Sequence, residues 1–131
     1  MSQDPQKNME ALRHLFNTLN EYDTATFLNE VKEILTEDYI LHDPGNPAPI
    51  STRAVFIEGF KQNSKVRTNR RVTVEDMFGA EDKVVSRMVY EYTDLQANEH
   101  KKIETIVISR FEGGKIAEEW QVTAPIPVPA K

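Results

Sequence analysis

Cysteine is absent from this chain. That excludes disulfides, thiol nucleophiles and thiolate metal ligands, and it suits a reducing compartment. Histidine is scarce. His14, His42 and His100 fall in three separate segments, and none has a second histidine at helical i,i+4 spacing, so no metal site is expected. The five glycines build neither a phosphate-binding loop nor a G-x-S-x-G elbow. Positive charge is not in excess: the formal net charge is −5, which makes nucleic acid and anionic membrane poor partners. No apolar run approaches the ~20 residues needed to cross a bilayer. Met1-Ser2-Gln3-Asp4-Pro5 lacks the basic and apolar regions of a signal peptide. A cytoplasmic protein is the expectation.

The 131 residues suit one domain, expected over 1–131 with tails at 1–7 and 125–131. Met9, Leu12, Leu15, Phe16 and Leu19 recur at helical spacing and predict a helix from about Asn8 to Tyr22. Asp23 or Thr24 caps a second helix carrying Phe27, Leu28, Val31, Ile34 and Leu35. Glu37 to His42 reads as a short extended segment. Pro44, Pro47 and Pro49 then enforce a stiff loop. Ser51 or Thr52 opens a third helix with Val55, Phe56, Ile57 and Phe60 on its apolar side.

After Arg70 the period changes from helical to two-residue. Strands are expected at about 71–78, 83–93, 101–111 and 115–123. Gly79 to Asp82 and Glu112-Gly113-Gly114 read as hairpin turns, and Pro125 to Pro129 as an extended tail that ends the sheet. Helices followed by antiparallel strands predict an α+β fold, with the helices on one face of the sheet. Alternation puts Val84, Ser86, Met88, Tyr90 and Tyr92 on the side against the helices. The opposite side carries Val85, Val89, Ile106 and Ile108, too apolar for a face open to water. A homodimer through the sheet is expected, scattered exposed apolar residues being the plainer alternative.

Four pieces of sequence, in this order and spacing, carry a family resemblance. They are Asp38-Tyr39-Ile40-Leu41-His42-Asp43-Pro44, Arg71 to Asp76, Asp82 to Arg87, and Arg110-Phe111-Glu112-Gly113-Gly114-Lys115-Ile116-Ala117-Glu118-Glu119-Trp120. The chain resembles the SnoaL-like branch of the NTF2-like superfamily, which includes polyketide cyclases and proteins labelled ester cyclases. The resemblance implies a cystatin-like cone in which a curved antiparallel sheet wraps a long helix around an apolar cavity. It also implies a small apolar molecule in that cavity and, if the protein is an enzyme, isomerase, lyase or cyclase chemistry without a cofactor. Cyclases of the family use an aspartate just beyond the tryptophan. Here Gln121-Val122-Thr123-Ala124 fills that stretch, and no acid follows Glu119. The family's Gly-Pro-rich insert between its middle strands is replaced by the shorter, polar Asp94 to His100.

Enolisation needs a base near an acidic C–H and donors for the enolate oxygen. His42 and Asp43 are the candidate catalytic pair: an imidazole that titrates near neutrality and a carboxylate, beside a stiff loop. As neighbours on a strand they point oppositely, so a direct relay between them is not expected. The alternative for His42 is a structural bond to loop backbone. Tyr90 and Tyr92 offer hydroxyls from the inner face, and Trp120 a stacking surface; all three serve equally as core aromatics. Phe16, Tyr39, Phe60 and Met88 complete the expected lining. Glu118 shares a face with Trp120, and Glu119 with Gln121; one of them can stand in for the missing acid, or both are solvated. Lys65, Arg67, Arg70 and Arg71 form a basic cluster without the interleaved aromatics of a single-strand binder, which reads as charged surface. Two functional readings stay open: acid/base catalysis on an oxo or polyketide-like substrate, or a non-catalytic small-molecule-binding or protein-interaction domain.

Overall fold

The computed structural model describes residues 4–127. Helix α1 (Pro5–Glu21) starts where Asp4 caps it by accepting the Lys7 amide, with proline in the first turn. Helix α2 (Thr24–Ile34) is capped by Asp23, which accepts the Thr26 amide. Strand β1 (Leu35–His42), strand β2 (Ile50–Ser51) and helix α3 (Arg53–Ser64) follow. Strands β3 (Arg67–Ala80), β4 (Lys83–Asp94), β5 (Glu99–Glu112) and β6 (Lys115–Ile126) complete the chain.

The six strands form one open sheet in the order β2-β1-β6-β5-β4-β3. The expected antiparallel sheet needs one correction, because β1 runs parallel to β6. The intervening helix and strands bring the chain back far enough for such a crossover, which a hairpin does not allow. Register shifts between Thr68 and Arg71, between Val74 and Asp76 and between Arg110 and Phe111 mark bulges, and bulged strands bend. The helices lie on the concave side.

Several boundaries differ from the sequence reading. Helix α1 begins at Pro5, so the described part of the expected 1–7 tail is mostly helix. Strand β3 begins at Arg67 and takes in residues read as a polar connection. Its turn falls on Glu81, with φ of 56°, because Gly79 still pairs with Val84. The β5–β6 turn uses Gly113 and Gly114 at φ of 57° and 83°, as their freedom from a Cβ allows. Pro125 and Ile126 remain in β6, opposite Ile103 and Lys102. Strand β1 pairs with β6 only as far as Trp120, so Pro125 lies where β6 has no neighbour on its other side, and the missing amide is tolerated there. Met1–Gln3 and Val128–Lys131, the rest of the expected tails, lie outside the described residues.

The core divides into two clusters. One joins Leu12, Leu15, Phe27, Leu28, Val31 and Tyr39 to Phe111 and Ile116 near the β5–β6 turn. The other groups Val72, Met88 and Val107 further along the sheet. Phe16 and Leu19 of α1 touch both. On the far side of the edge strand β3, the Asn20 side chain donates to the Val72 carbonyl at 2.8 Å and accepts the Val72 amide at 2.7 Å. It thereby closes part of an edge that has no strand partner. Asn20→Leu is expected to leave both backbone groups unpaired and to cost about 1–3 kcal/mol in urea unfolding. An unchanged midpoint would show that water replaces the amide without loss.

Candidate active site

Strand register assigns the two faces. Glu119 on β6 lies opposite Leu41 on β1 and Ser109 on β5, and both neighbours are buried. Trp120 lies opposite His42 and Ile108, on the other face. The sequence-derived site residues therefore separate. Tyr39, Phe16, Phe60, Met88, Tyr90 and Tyr92 belong to the concave, helix-covered side. His42 and Trp120 belong to the convex side, where their rings stack 5.6 Å apart at 15°. Asp43 sits just past the end of β1, and its Oδ2 accepts from the Gln121 amide at 3.1 Å. The expected convergence of His42 with the tyrosines on one cavity is not what the fold builds. The parity of β1 that turns Tyr39 and Leu41 inward turns His42 outward.

The concave side holds a carboxyl instead. Glu119 Oε1 accepts from the Tyr39 hydroxyl at 2.5 Å, and Oε2 accepts from the Ser109 hydroxyl at 2.5 Å. Tyr39 and Ser109 are fully buried, whereas Glu119 keeps part of its surface accessible although protein encloses it deeply. Burial pushes the Glu119 acid above the ordinary glutamate range; the two hydroxyl bonds oppose this but do not cancel it. Burial, with the Glu119 charge behind it, also raises the Tyr39 phenol, which stays a donor. Further along β6 the concave side opens, since Gln121 is half-buried and Thr123 exposed. Tyr90 and Tyr92 stand further along the face with rings 5.3 Å apart, and Phe60 packs on Phe27 at 4.8 Å.

The convex side carries a cleft of about 380 Å³, walled by Ile106, Ile108, Trp120 and Val122 and by Pro44 and Pro49 of the loop, with Asp43 and Gln121 also at its wall. His42 Nε2 meets Glu118 Oε2 at 2.7 Å at its edge, and Arg110 Nη2 reaches the other Glu118 oxygen at 3.2 Å. The His42 hydrogen bond first, then Arg110, holds the Glu118 carboxyl below its ordinary range. Glu118 is thus an anion partnered on both oxygens, unlike the enclosed acid beside it in sequence. Among the described residues no cluster of His, Asp and Glu has a metal-binding arrangement. No helix there is long and apolar enough to cross a membrane.

A family model described as a SnoaL-like domain matches residues 12–119. The chain belongs to the SnoaL-like family. Solved structures of SnoaL-like and related proteins share the fold at low identity. A candidate SnoaL-like polyketide cyclase from Jannaschia sp. CCS1 superposes with a TM-score of 0.78 at 16% identity, over 92% of this chain and 90% of that one. IdmH, a candidate polyketide cyclase from Streptomyces antibioticus, gives 0.73 at 19% identity, over 88% and 91%. A candidate ketosteroid isomerase from Kribbella flavida DSM 17836 gives 0.73 at 16%, over 98% and 85%. No curated protein matches the sequence. At such identities the SnoaL-like likeness fixes the fold, and the chemistry rests on the side chains.

Glu119 was the weaker reading of the sequence, because a glutamate on a strand is usually solvated. The sequence offered Glu118 and Glu119 alike as stand-ins for an acid, and only the register of β6 against β1 and β5 shows which of the two turns inward.

Proposed function

We propose that this SnoaL-like protein holds a small, largely apolar oxo compound against the concave face of its sheet and catalyses proton transfer there without a cofactor. Glu119 is the acid/base group. It takes a proton from the carbon beside the carbonyl and returns it at a second carbon of the resulting enolate, so the substrate isomerises with no net change of atoms. The single observation behind this reading is the enclosed Glu119 carboxyl, bonded to Tyr39 and Ser109, raised by burial and still accessible in part. A carboxyl raised above its ordinary range is the stronger base once ionised and holds the proton it takes long enough to return it. The assay is the conversion of a β,γ-unsaturated cyclic ketone to its conjugated isomer, followed by ultraviolet absorbance. Enones that bind without turning over would support the non-catalytic binding domain instead.

The same fold is proposed to pair as a homodimer through the convex face. Ile106, Ile108, Trp120 and Val122 are 41%, 37%, 36% and 51% exposed, a contiguous apolar strip in paired register. Ion pairs border it: Arg87 with Asp76 and Glu104, and Arg110 with Glu118. An apolar centre with a charged rim is the pattern of a protein interface. A second copy presents the same strip, so a two-fold contact covers both.

A further inference from the structure

The basic cluster around the start of β3 does not stay on the surface as a unit. Lys65 and Arg71 are exposed, while Arg67 and Arg70 are partly buried. The irregularity at Asn69, with φ of 54°, and the register shift between Thr68 and Arg71 change the alternation there. The result is that Arg67 lies over the Tyr92 ring at 4.5 Å and Arg70 over the Phe60 ring at 4.1 Å. Neither arginine makes an ion pair among the described residues, and Nε and Nη1 of Arg70 are buried without a hydrogen-bond partner. The ring face offsets part of the desolvation of a guanidinium, but it does not use the N–H groups. Burial pulls the Arg70 guanidinium below its ordinary value, with the nearby Tyr90 opposing and Arg67 adding to the effect.

These groups border a cleft of about 360 Å³ between the end of α1, the start of α2, the end of α3 and β3. Asn20, Ser64 and Thr68 add polar groups to its wall. One acid lies there: Asp23, already engaged by the Thr26 amide. Asp94 is close enough to Arg67 to feel its charge. Two guanidiniums without an ion pair, set against Asp23 and Asp94, leave little net positive charge, which suits a monoanion better than a doubly charged phosphate.

We propose that this cleft at the open end of the helix-covered face binds the carboxylate of a small oxo acid, with Arg70 as its ligand; that the acid is an oxo compound rests on the reading above. The apolar body of the acid lies in the same cleft against Leu19, while Met88 and Val107, packed with Phe16 and Leu19, close the way deeper along the sheet.

The experiment is calorimetric titration with 4-(2-naphthyl)-4-oxobutanoate and its neutral amide. Wild type is expected to bind the acid about tenfold more tightly than the amide. Arg70→Gln should bring that ratio to about one with amide affinity kept, Arg70→Lys should retain a reduced preference, and exposed Arg71→Gln should change nothing. Inorganic phosphate should not displace the acid. Glu119→Gln should keep the preference, which separates this site from the catalytic carboxyl. Equal affinity for acid and amide, a preference that survives Arg70→Gln, or displacement by phosphate would overturn the carboxylate site and leave the Glu119 reading standing. Failure of both acid and amide to bind would remove both readings.

Discussion

Glu119→Gln is expected to lower enone isomerisation by about 100-fold or more, the scale of losing a positioned acid/base group. The substitution keeps size and bonding. The glutamine oxygen accepts from Tyr39, and its amide donates to the Ser109 hydroxyl, which reorients. What disappears is the exchangeable proton. Because burial raises the Glu119 acid, its base form grows in only above the ordinary carboxylate range, and wild-type activity should rise with pH there. Stability follows the opposite course. An unfolded glutamate loses its proton at about pH 4.3, before the folded one does. Unfolding therefore becomes easier as pH rises from that point, levelling off once the folded carboxyl has also ionised. The glutamine variant lacks this loss. Urea midpoints across the acid-to-neutral range should show the variant gaining on wild type as pH rises. Parallel midpoints would mean that Glu119 is not an enclosed acid. Unchanged turnover in the variant would end the catalytic reading.

Ile108→Glu is expected to split the dimer. The side chain sits beside Trp120 across the β5–β6 ladder and faces outward, so a charge there leaves the fold intact. In a two-fold contact the substitution acts twice, burying two like charges against apolar surface at a cost of several kcal/mol. Sedimentation at micromolar concentration should give about twice the chain mass of 15.0 kDa for wild type and the single mass for the variant. A monomeric wild type would refute the pairing. Thr105→Val, on the helix-covered face of the same strand, serves as the control and should stay dimeric.

Much of the fold was legible because it is local. Leu12, Leu15 and Leu19 mark one helical face, the loop prolines bar any regular element, and Gly113-Gly114 fits a turn that needs positive φ. The inward row Val84, Ser86, Met88 and Tyr92 on β4 followed from alternation alone. The site was harder to read. On β5 and β6 both faces carry apolar residues, so hydrophobicity could not say whether Glu118 with Trp120 or Glu119 with Gln121 turned inward. His42 and Trp120 are stacked by a parallel pairing whose partners stand far apart in sequence. Arg70 looked like surface until an irregular register turned it over Phe60.

By itself the sequence determined the three helices, the long strands and their order, though not the short β2, as well as the absence of thiol chemistry and which residues on each strand must share a face. Those are properties of the backbone period and of side chains within a few positions of one another. Only the tertiary structure decided which of the two faces is enclosed, that an acid lies within it and that the histidine lies outside. A strand's periodicity is symmetric between its faces, and only docked helices and a fixed register with distant strands break that symmetry.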